Sequence, residues 1–409
     1  MSCVHLRPLW SLCSFDDDLL PENTSPEKLI NYVDISNVEN GRVQVPNESF
    51  AFGDSPSRAR RLVRPGDVVI STVRTYLRAV AAVPNETDDL VFSTGFCVIR
   101  PRPEVADSRF IHHLLVSDLV IDEIVADSTG TSYPATSATK ISRLKVPAPS
   151  LEVQRAIADY LDRETAEIDA MSADLDEMEK LLAERRTSAI SRFIESAAGA
   201  EVPIVMMAKV TIGKMIQSRG KRLGDVEAPY LRAAHIPAPG TLNMTTATKK
   251  MWFSPEELDY LTVRAGDVLI VEGGAGFGRA AVVTDDMEGW GFQNSIIRVR
   301  ALEGVASGRF ISYALQQAQA EGKIELQVST ATLPHFTAEK VERFRLPLPT
   351  LEEQRRIVDE IDRDTAEIDA MLADITELRD LLAERRAAVI AAAVTGQIDV
   401  PALKETTHA

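Results

Sequence analysis

The stretch VPAPSLEVQRAIADYLDRETAEIDAMSADLDEMEKLLAERRTSAI, Val146 to Ile190, returns 200 residues later as LPLPTLEEQRRIVDEIDRDTAEIDAMLADITELRDLLAERRAAVI, Leu346 to Ile390. The two copies align without an insertion, and 25 of the 40 residue pairs that begin at Leu151 and Leu351 are identical. A repeat of this length indicates a duplicated structural unit, not a short motif.

The same shift of 200 residues continues upstream, where the sequence has otherwise diverged. Arg64-Pro-Gly-Asp-Val68 matches Arg264-Ala-Gly-Asp-Val268, and Arg109-Phe-Ile111 matches Arg309-Phe-Ile311. Short apolar runs separated by Gly, Pro and Asn indicate strands, and two longer stretches indicate helices. We therefore expect two α+β domains of about 150 residues, each followed by a nearly constant helical region. The strand candidates are 68–72, 79–83, 96–99 and 296–299, and the helical stretches are 110–126 and 310–319.

Each copy of the repeat predicts one long helix. Paired prolines hold the chain extended before it, and Ser150 or Thr350 supplies the oxygen that caps its first turn. Apolar residues then recur in steps of four and three, which is typical of a heptad seam. The seam residues are Ile157, Leu161, Ile168, Met171, Leu175, Met178, Leu182, Ile357, Ile361, Ile368, Met371, Ile375, Leu378 and Leu382.

A helix of about 40 residues rises about 60 Å, which is more than a globular domain needs for its own core. The two seams match in length and register, so we expect them to pack on each other within one chain. Duplicated units related by a pseudo-twofold axis would pack in the antiparallel sense. The alternative is that each helix simply covers its own domain. The remaining polar faces indicate either a solvated coiled-coil surface or a docking surface for another protein.

The acidity of the chain belongs to the repeated helices. The formal net charge is -16. Leu151–Glu195 carries 12 acidic and 6 basic residues, and Leu351–Val400 carries 13 and 6, so these segments hold -13 of the total. The rest of the chain is close to neutral, at about -3, and local basic clusters there can still attract phosphate.

The absence of several sequence features limits the classes to which the protein can belong. No window approaches roughly 18 uninterrupted apolar residues, so neither membrane insertion nor secretion is indicated, and we expect a cytoplasmic protein. Cys3, Cys13 and Cys97 lack metal-ligand spacing and favour reduced thiols. The sequence has no Pro-Pro dipeptide, hence no Asn/Asp-Pro-Pro-aromatic methyltransferase loop, and no G-x-x-x-x-G-K-[ST] or HExxH motif. The run Gly273–Gly278 precedes another strand where a nucleotide fingerprint requires a helix, so we interpret it as a hairpin turn.

A proline-flanked helix that opens with Leu-x-x-Gln, closes in Glu-Arg-Arg and ends in Thr395-Gly-Gln-Ile398 resembles the specificity subunit of type I restriction-modification systems. The resemblance covers essentially the whole chain. It implies target-recognition domains at 1–145 and 199–345, and conserved helical regions at 146–198 and 346–409.

The resemblance implies a non-catalytic subunit that binds double-stranded DNA. In this family each recognition domain reads one half of a bipartite, asymmetric site, and the paired helices set the spacing between the halves. The conserved helices dock two methyltransferase subunits, in which S-adenosylmethionine is expected, and a restriction subunit with translocase activity joins the larger complex. The resemblance implies no cofactor and no metal in this chain.

Basic clusters and polar loops of the divergent domains are the candidate DNA contacts. Lys and Arg neutralise phosphates, and Arg also forms a forked pair of hydrogen bonds with guanine. The polar loops 128–134 and 329–335 lie at equivalent positions in the two domains. The candidates are Arg58, Arg60, Arg61, Arg64, Arg74, Tyr76, Arg78, Thr131, Tyr133, Lys214, Arg219, Lys221, Arg222, Lys249, Lys250, Arg279, Thr332 and His335.

Two other classes of function are compatible with parts of this pattern. A rod-like scaffold whose end domains grip proteins would have the same repeat and would not bind DNA. A self-sufficient nuclease is disfavoured, because we find no catalytic set of carboxylates and lysine of the Pro-Asp…Asp/Glu-x-Lys kind in the sequence.

Overall fold

The fold is that of a computed structural model, which describes residues 5–39, 41–85, 89–128, 134–328 and 334–398. The chain divides into two units. The first is Met1–Leu175 with Glu377–Ala409, and the second is Asp176–Thr376. Each unit therefore contains one divergent domain and parts of both long helices.

The first divergent domain, called the first domain below, is a mixed α+β structure. Its elements are β1 Leu6–Pro8, β2 Cys13–Phe15, β3 Leu29–Val33, β4 Val38–Glu39, β5 Arg42–Val43, β6 Phe50–Ala51, β7 Ala59–Leu62, β8 Val68–Ser71, β9 Val80–Ala82, β10 Leu90–Ser93, β11 Phe96–Pro101, α1 Ser108–Val116, α2 Asp118–Ala126, α3 Ala138–Arg143 and β12 Lys145–Pro147, followed by the long helix α4 Leu151–Glu195. One sheet is antiparallel, in the order β2-β11-β8-β9, and the other has the order β6-β3-β10-β7 with β3 parallel to β10. β1 pairs with β12 just before α4.

The second divergent domain, called the second domain, repeats this plan. Its elements are β13 Ala200–Pro203, β14 Ala208–Ile212, β15 Val226–Leu231, β16 Lys249–Phe253, α5 Pro255–Leu261, β17 Val268–Val271, β18 Ala280–Val282, β19 Gly291–Phe292, β20 Ile296–Ala301, α6 Gly308–Ala320, α7 Lys323–Val328, α8 Ala338–Arg343 and β21 Arg345–Leu348, followed by the long helix α9 Leu351–Val394. The order β14-β20-β17-β18 repeats that of β2-β11-β8-β9. β15 is parallel to β19 as β3 is to β10, and β13 pairs with β21 as β1 does with β12. The predicted α+β class with an internal repeat is confirmed.

Both long helices begin where the sequence predicts. The backbone N–H of Val153 donates to Ser150 Oγ at 3.4 Å, and that of Glu353 donates to Thr350 Oγ1 at 3.3 Å. These hydroxyls satisfy amide groups that the first turn leaves unpaired.

In the first unit, the start of α4 packs against the end of α9. Ile157 and Leu161 of α4 share one apolar core with Ile390 and Val394 of α9, and this core includes Phe110 of α1. Arg385 also pairs with Glu164 at 2.9 Å, and Arg386 pairs with Asp169. The beginning of one helix therefore lies beside the end of the other.

The second unit shows the reciprocal arrangement. Ile190 and Ile194 near the end of α4 share a core with Ile357 and Ile361 near the start of α9. The guanidinium of Arg192 also lies 2.5 Å from the carboxylate of Asp364. The predicted antiparallel pairing of the helices within one chain is thus confirmed, and the alternative that each helix covers only its own domain is wrong.

Burial along the seam is uneven. Eight of the proposed seam residues are buried: Ile157, Leu161, Ile168, Leu182, Ile357, Ile361, Ile368 and Ile375. Leu175 and Leu382 are half-buried. Four seam residues near the helix centres are 39–50% exposed, namely Met171, Met178, Met371 and Leu378. The seam is therefore mostly buried towards the ends of the helices and only partly buried near their centres, where Ile375 is buried between Met371 and Leu378.

Two further features of the described residues concern membranes and thiols. None of the helices within these residues has both the length and the apolarity of a membrane span. Cys13 and Cys97 are buried free thiols, and burial raises the pKa of both. Cys3 lies outside the described residues.

Candidate nucleic-acid interface

A buried ion pair supports the turn that precedes β8 in the first domain. Asp67 is 1% exposed, and its carboxylate accepts hydrogen bonds from Nε and Nη2 of Arg100 at 2.9 and 2.8 Å. The same carboxylate accepts the backbone N–H of Arg64 at 2.8 Å, and Gly66 takes φ +85°, which glycine adopts without strain. The hydrogen bonds from Arg100 to Asp67 raise the pKa of the guanidinium, which therefore stays charged.

The second domain contains the same ion pair. Asp267 is 1% exposed and accepts Nε and Nη2 of Arg300, both at 2.7 Å, together with the backbone N–H of Arg264 at 2.8 Å. Gly266 has φ +84°. The repeated Arg-x-Gly-Asp-Val motif is therefore a structural device, and we call Asp67–Arg100 and Asp267–Arg300 the frame pairs.

Three of the predicted DNA contacts in the first domain are engaged within the protein. Arg61 pairs with Asp16 at 2.9 Å and its side chain is only 19% exposed, and Arg64 pairs with Asp18 at 2.8 Å. The guanidinium of Arg60 lies 4.8 Å from the centre of the Phe52 ring. These side chains help to hold the domain together.

A cleft of about 690 Å³ opens beside the β8–β9 connection, residues 72–78, which we call turn 1. Arg58 and Arg74 line this cleft together with Asp34, and the apolar side chains of Ile35 and Leu77 form part of its wall. Both arginines are exposed. The structure thus brings two predicted DNA contacts, Arg58 and Arg74, to one cleft, and it adds Asp34, which the sequence did not single out.

Turn 1 has an unusual backbone. Arg74 and Arg78 have φ +51° and +54°, in the left-handed region that costs a non-glycine residue about 1–2 kcal/mol. Arg78 turns towards α2, where its guanidinium pairs with Asp118 and lies 3.3 Å from Asp122. Tyr76, between the two arginines, is 52% exposed.

The equivalent connection in the second domain, residues 272–278 or turn 2, is rich in glycine. Gly274 and Gly278 have φ +80° and +79°, at the positions that Arg74 and Arg78 hold in turn 1. A Cβ at Gly273 would lie 2.6 Å from the His335 ring, so only glycine fits there. Gly273 forms a β-bridge with His335, as Val73 of turn 1 does with Ala135. The hairpin predicted for the glycine run is therefore present.

A second difference lies at the short turns after the parallel strands. The backbone N–H of Asp34 donates to Asn37 Oδ1 at 2.9 Å, and that of Arg232 donates to His235 Nδ1 at 3.1 Å. The two turns are built in the same way, but the first residue is an acid in one domain and a base in the other. The pKa of His235 is lowered by burial.

The basic candidates of the second domain are dispersed. Lys214 pairs with Glu257, its side chain is 13% exposed, and its Nζ lies 5.5 Å from the centre of the Phe253 ring. Arg279 Nη1 donates to the carbonyl of Pro237 at 2.6 Å. The exposed candidates are Arg219, Lys221, Arg222, Lys249, Lys250 and His335. Thr131, Tyr133 and Thr332 lie outside the described residues.

Each domain is clamped to its following helix by a buried glutamine. Gln154, fully buried, accepts the backbone N–H of Asp107 at 3.0 Å and donates to the carbonyls of Val105 and Pro149 at 3.0 and 2.9 Å. Gln354 makes the same three contacts in the second unit, with the equivalent backbone groups. The Leu-x-x-Gln motif signalled this position, but the sequence alone did not reveal its role.

A carboxylate on the long helix completes each clamp. In the first unit Asp162 accepts His113 Nε2 at 2.8 Å and Arg109 Nη1 at 2.9 Å. Burial raises the pKa of Asp162, but the hydrogen bonds from His113 and Arg109 outweigh it and hold the pKa below its usual value. In the second unit Asp362 accepts the Tyr313 hydroxyl at 2.6 Å.

No cluster of His, Cys, Asp or Glu suited to a metal occurs among the residues that the structure describes. His112 donates to the carbonyl of Gly41 at 3.1 Å, and burial lowers the pKa of His112 to about 4. It is therefore a neutral, partly buried residue at pH 7.

Comparisons with known proteins identify a family. The model described as "Type I restriction modification DNA specificity domain" matches residues 58–180 and 214–378. The type I restriction enzyme StySPI specificity subunit of Salmonella potsdam is 20% identical over 379 residues, which is 89% of this chain and 81% of that subunit. The HindI specificity subunit of Haemophilus influenzae is 28% identical over 110 residues, only 24% of its length.

A solved structure supports the fold. A chain described in work on complex assembly and conformational transition of the type I R-M system aligns with a TM-score of 0.69 and 24% identity. The alignment covers 96% of this chain and 98% of that one.

Proposed function

Since the chain belongs to the family of type I restriction modification DNA specificity domains, we propose that it is the specificity subunit of a type I restriction-modification complex. Each of its two recognition domains binds one half of a bipartite, asymmetric site in double-stranded DNA. We assign recognition to residues 1–145 and 199–345, and the conserved helical regions to 146–198 and 346–409. The chain itself carries no catalytic residue and no cofactor.

A comparison of the two domains supports this proposal. They share one fold and one kind of frame pair, but they carry different side chains at equivalent positions of their turns. Turn 1 carries Arg74 where turn 2 carries Gly274, and the adjoining short turns begin with Asp34 and Arg232. Arg and Asp are side chains that distinguish base edges in the major groove, so different sets favour different half-sites. The frame pairs at the starts of β8 and β17 are alike, so the two domains share the strands from which these turns extend.

The long helices have two roles in this proposal. They set the spacing between the half-sites, and their acidic faces dock two methyltransferase subunits, which bind S-adenosylmethionine. A restriction and translocase subunit joins this assembly, which acts in the cytoplasm. The formal charge of -13 on the helical segments disfavours DNA as their ligand and favours a protein surface.

Selection of DNA by the assembled complex tests the proposal. The full chain, co-expressed with the methyltransferase of its own system, is incubated with randomised double-stranded DNA, and the bound fraction is sequenced. We expect two unlike half-sites separated by a fixed gap, and methylated adenine in the same sites. A complex that enriches no sequence contradicts DNA reading and favours the protein-binding scaffold.

An insertion tests the spacing role. Because the helices are antiparallel, four residues are added to both, after Ser172 and after Leu372, so that the pairing on either side of the insertion is kept. Four residues add about 6 Å of helix, close to two base pairs of DNA at about 3.4 Å each. We expect the half-sites to stay unchanged and the gap to lengthen. An unchanged gap contradicts the spacing role and leaves DNA reading intact.

A further inference from the structure

Turn 1 keeps arginine at a position where the backbone favours glycine. Among the described residues four non-glycine residues have left-handed φ values: Asp16, Arg74, Arg78 and Asp89. Aspartate tolerates this region because its short polar side chain can form a hydrogen bond with local backbone. The long side chain of arginine is not suited to a bond of this kind. The surroundings of the two arginines differ.

Arg78 is directed towards its own domain. Its ion pairs with Asp118 and Asp122 tie turn 1 to α2. The equivalent Gly278 also faces the interior of its domain, because a Cβ there would lie 3.0 Å from Ile324 of α7. This position of the turn is directed towards protein in both domains.

The position of Arg74 is directed outwards. At the equivalent Gly274, no described atom lies within 4 Å of an added Cβ. Arg74 itself is exposed and lines the cleft, with Arg58 and the carboxylate-bearing Asp34 on the same cleft. A side chain placed here reaches a ligand outside the domain more readily than it reaches the core.

The mixture of charges in the cleft distinguishes a base pair from a phosphate. A G·C pair presents two acceptors, guanine O6 and N7, beside the donor N4 of cytosine, and Arg and Asp are their complementary partners. A phosphate would be attracted by Arg58 and Arg74 but repelled by Asp34. The cleft of the first domain therefore fits the edge of a G·C pair better than the DNA backbone.

The geometry points to Arg74 as a specificity-determining residue, which reads a guanine in the half-site of the first recognition domain. This inference rests on the proposed DNA-reading function. It also implies that the two domains recognise their half-sites differently. Turn 2 has Gly274 at this position, so other side chains read the half-site of the second domain.

Four proteins test the inference in the DNA selection described above: the wild type, Arg74→Gly, Arg74→Lys and Arg78→Gly. Arg74→Gly copies the residue of turn 2 and relieves the left-handed φ, so thermal unfolding should show a fold at least as stable as the wild type. We expect it to bind the wild-type site about 5- to 150-fold more weakly and to accept any base pair at one position. Arg74→Lys keeps the charge without the fork, so it should keep more of the affinity than Arg74→Gly while losing the guanine preference. Arg78→Gly is the matched control, and it should keep the sequence preference.

Three results would overturn the inference while leaving the proposed function in place. One is a wild-type half-site of the first domain without guanine. Another is an unchanged preference in Arg74→Gly. The third is a uniform loss of affinity for all sequences with a salt dependence lower by about one unit, which indicates a phosphate contact. If the wild type itself selects no sequence, the proposed function fails.

Discussion

The two domains agree in their buried frame pairs, which lie just before β8 and β17, and differ at the turns that follow these strands. Asp67 and Asp267 make the same bidentate contacts with an arginine, at 2.7 to 2.9 Å. The turns that follow carry Arg74 in one domain and Gly274 in the other, in the same backbone conformation. The comparison distinguishes the residues that stabilise each domain, the frame pairs, from the residues that we propose to contact DNA, those of the turns. Substitutions in the frame should change stability in both domains, and substitutions in the turn should change the preferred DNA.

The largest expected effect is at the frame pair. Asp67→Asn removes a buried carboxylate partner of Arg100, whose side chain is 18% exposed and also pairs with Asp18 at 2.8 Å. Removing one partner of a buried pair costs about 3–5 kcal/mol, and we expect a loss at the lower end of this range, because Asp18 still compensates part of the charge. We expect a similar loss for Asp267→Asn, since the side chain of Arg300 is 30% exposed and water can replace part of the interaction.

Denaturant unfolding of the full chain with each variant measures both free energies. A loss below about 1 kcal/mol in both would show that the frame pairs do not stabilise the domains beyond an ordinary surface pair, because a surface pair contributes no more than this. Large and equal losses of unfolding free energy in the two variants would show that the two frame pairs contribute equally to stability.

A second difference between the domains lies in helix α1, which carries a titratable residue where the equivalent helix α6 does not. This difference predicts that the first domain is more sensitive to acid at this position. His112 has a folded-state pKa of about 4, lowered by burial, and the equivalent residue of the second domain is Ser312. Because the folded pKa lies below the unfolded value near 6.5, the neutral imidazole contributes its full stability above about pH 6.5, and this contribution is lost as pH falls towards 4. The loss amounts to about 3 kcal/mol at most.

The variant His112→Gln checks this prediction, because an amide can still donate to the carbonyl of Gly41 and does not titrate. The unfolding free energies of wild type and variant are compared at several pH values between 7 and 4. We expect the difference between them to shift in favour of the variant as pH falls. A difference independent of pH would show that His112 does not titrate in this range.

The sequence predicted the parts of this fold that depend on local pattern. The helix starts at Ser150 and Thr350 and the antiparallel pairing followed from capping residues and from the duplicated seam. The family resemblance is confirmed by the family model that matches both domains. The seam showed which helix face is apolar, but not how far along the helix a partner extends. The exposure of Met171 and Leu378, 45% and 47%, could therefore not be read from periodicity.

The candidate site was less predictable, because it depends on contacts between residues far apart in sequence. Arg61, Arg64 and Lys214 were chosen for their charge, and the acids that engage them lie about 45 residues away along the chain. Charge alone does not distinguish a structural ion pair from a ligand contact. The cleft beside turn 1 depends in addition on left-handed φ values, which sequence does not reveal for arginine.

The smallest expected effect concerns the carboxylate clamp, which uses a histidine in one domain and a tyrosine in the other. Tyr313→Phe removes the hydrogen bond to Asp362, and we expect a loss of about 1.5 kcal/mol, at the lower end for a bond to a charged group because Asp362 is partly exposed. Burial raises the pKa of Tyr313 to about 12, above the ordinary value of 10.0. The hydrogen bond therefore contributes fully below about pH 10, and its contribution disappears as pH rises towards 12.

The reciprocal variant His113→Tyr tests whether the two clamps are interchangeable. We expect it to lose less than about 1.5 kcal/mol, the contribution of one hydrogen bond to a charged group, because a tyrosine hydroxyl can donate to Asp162 as it does to Asp362 in the second unit. Unfolding free energies at pH 8 and pH 11 measure the effects of both substitutions. A large loss in His113→Tyr would show that each clamp is fitted to its own domain, so that the buried contacts between domain and helix have diverged along with turn 1 and turn 2.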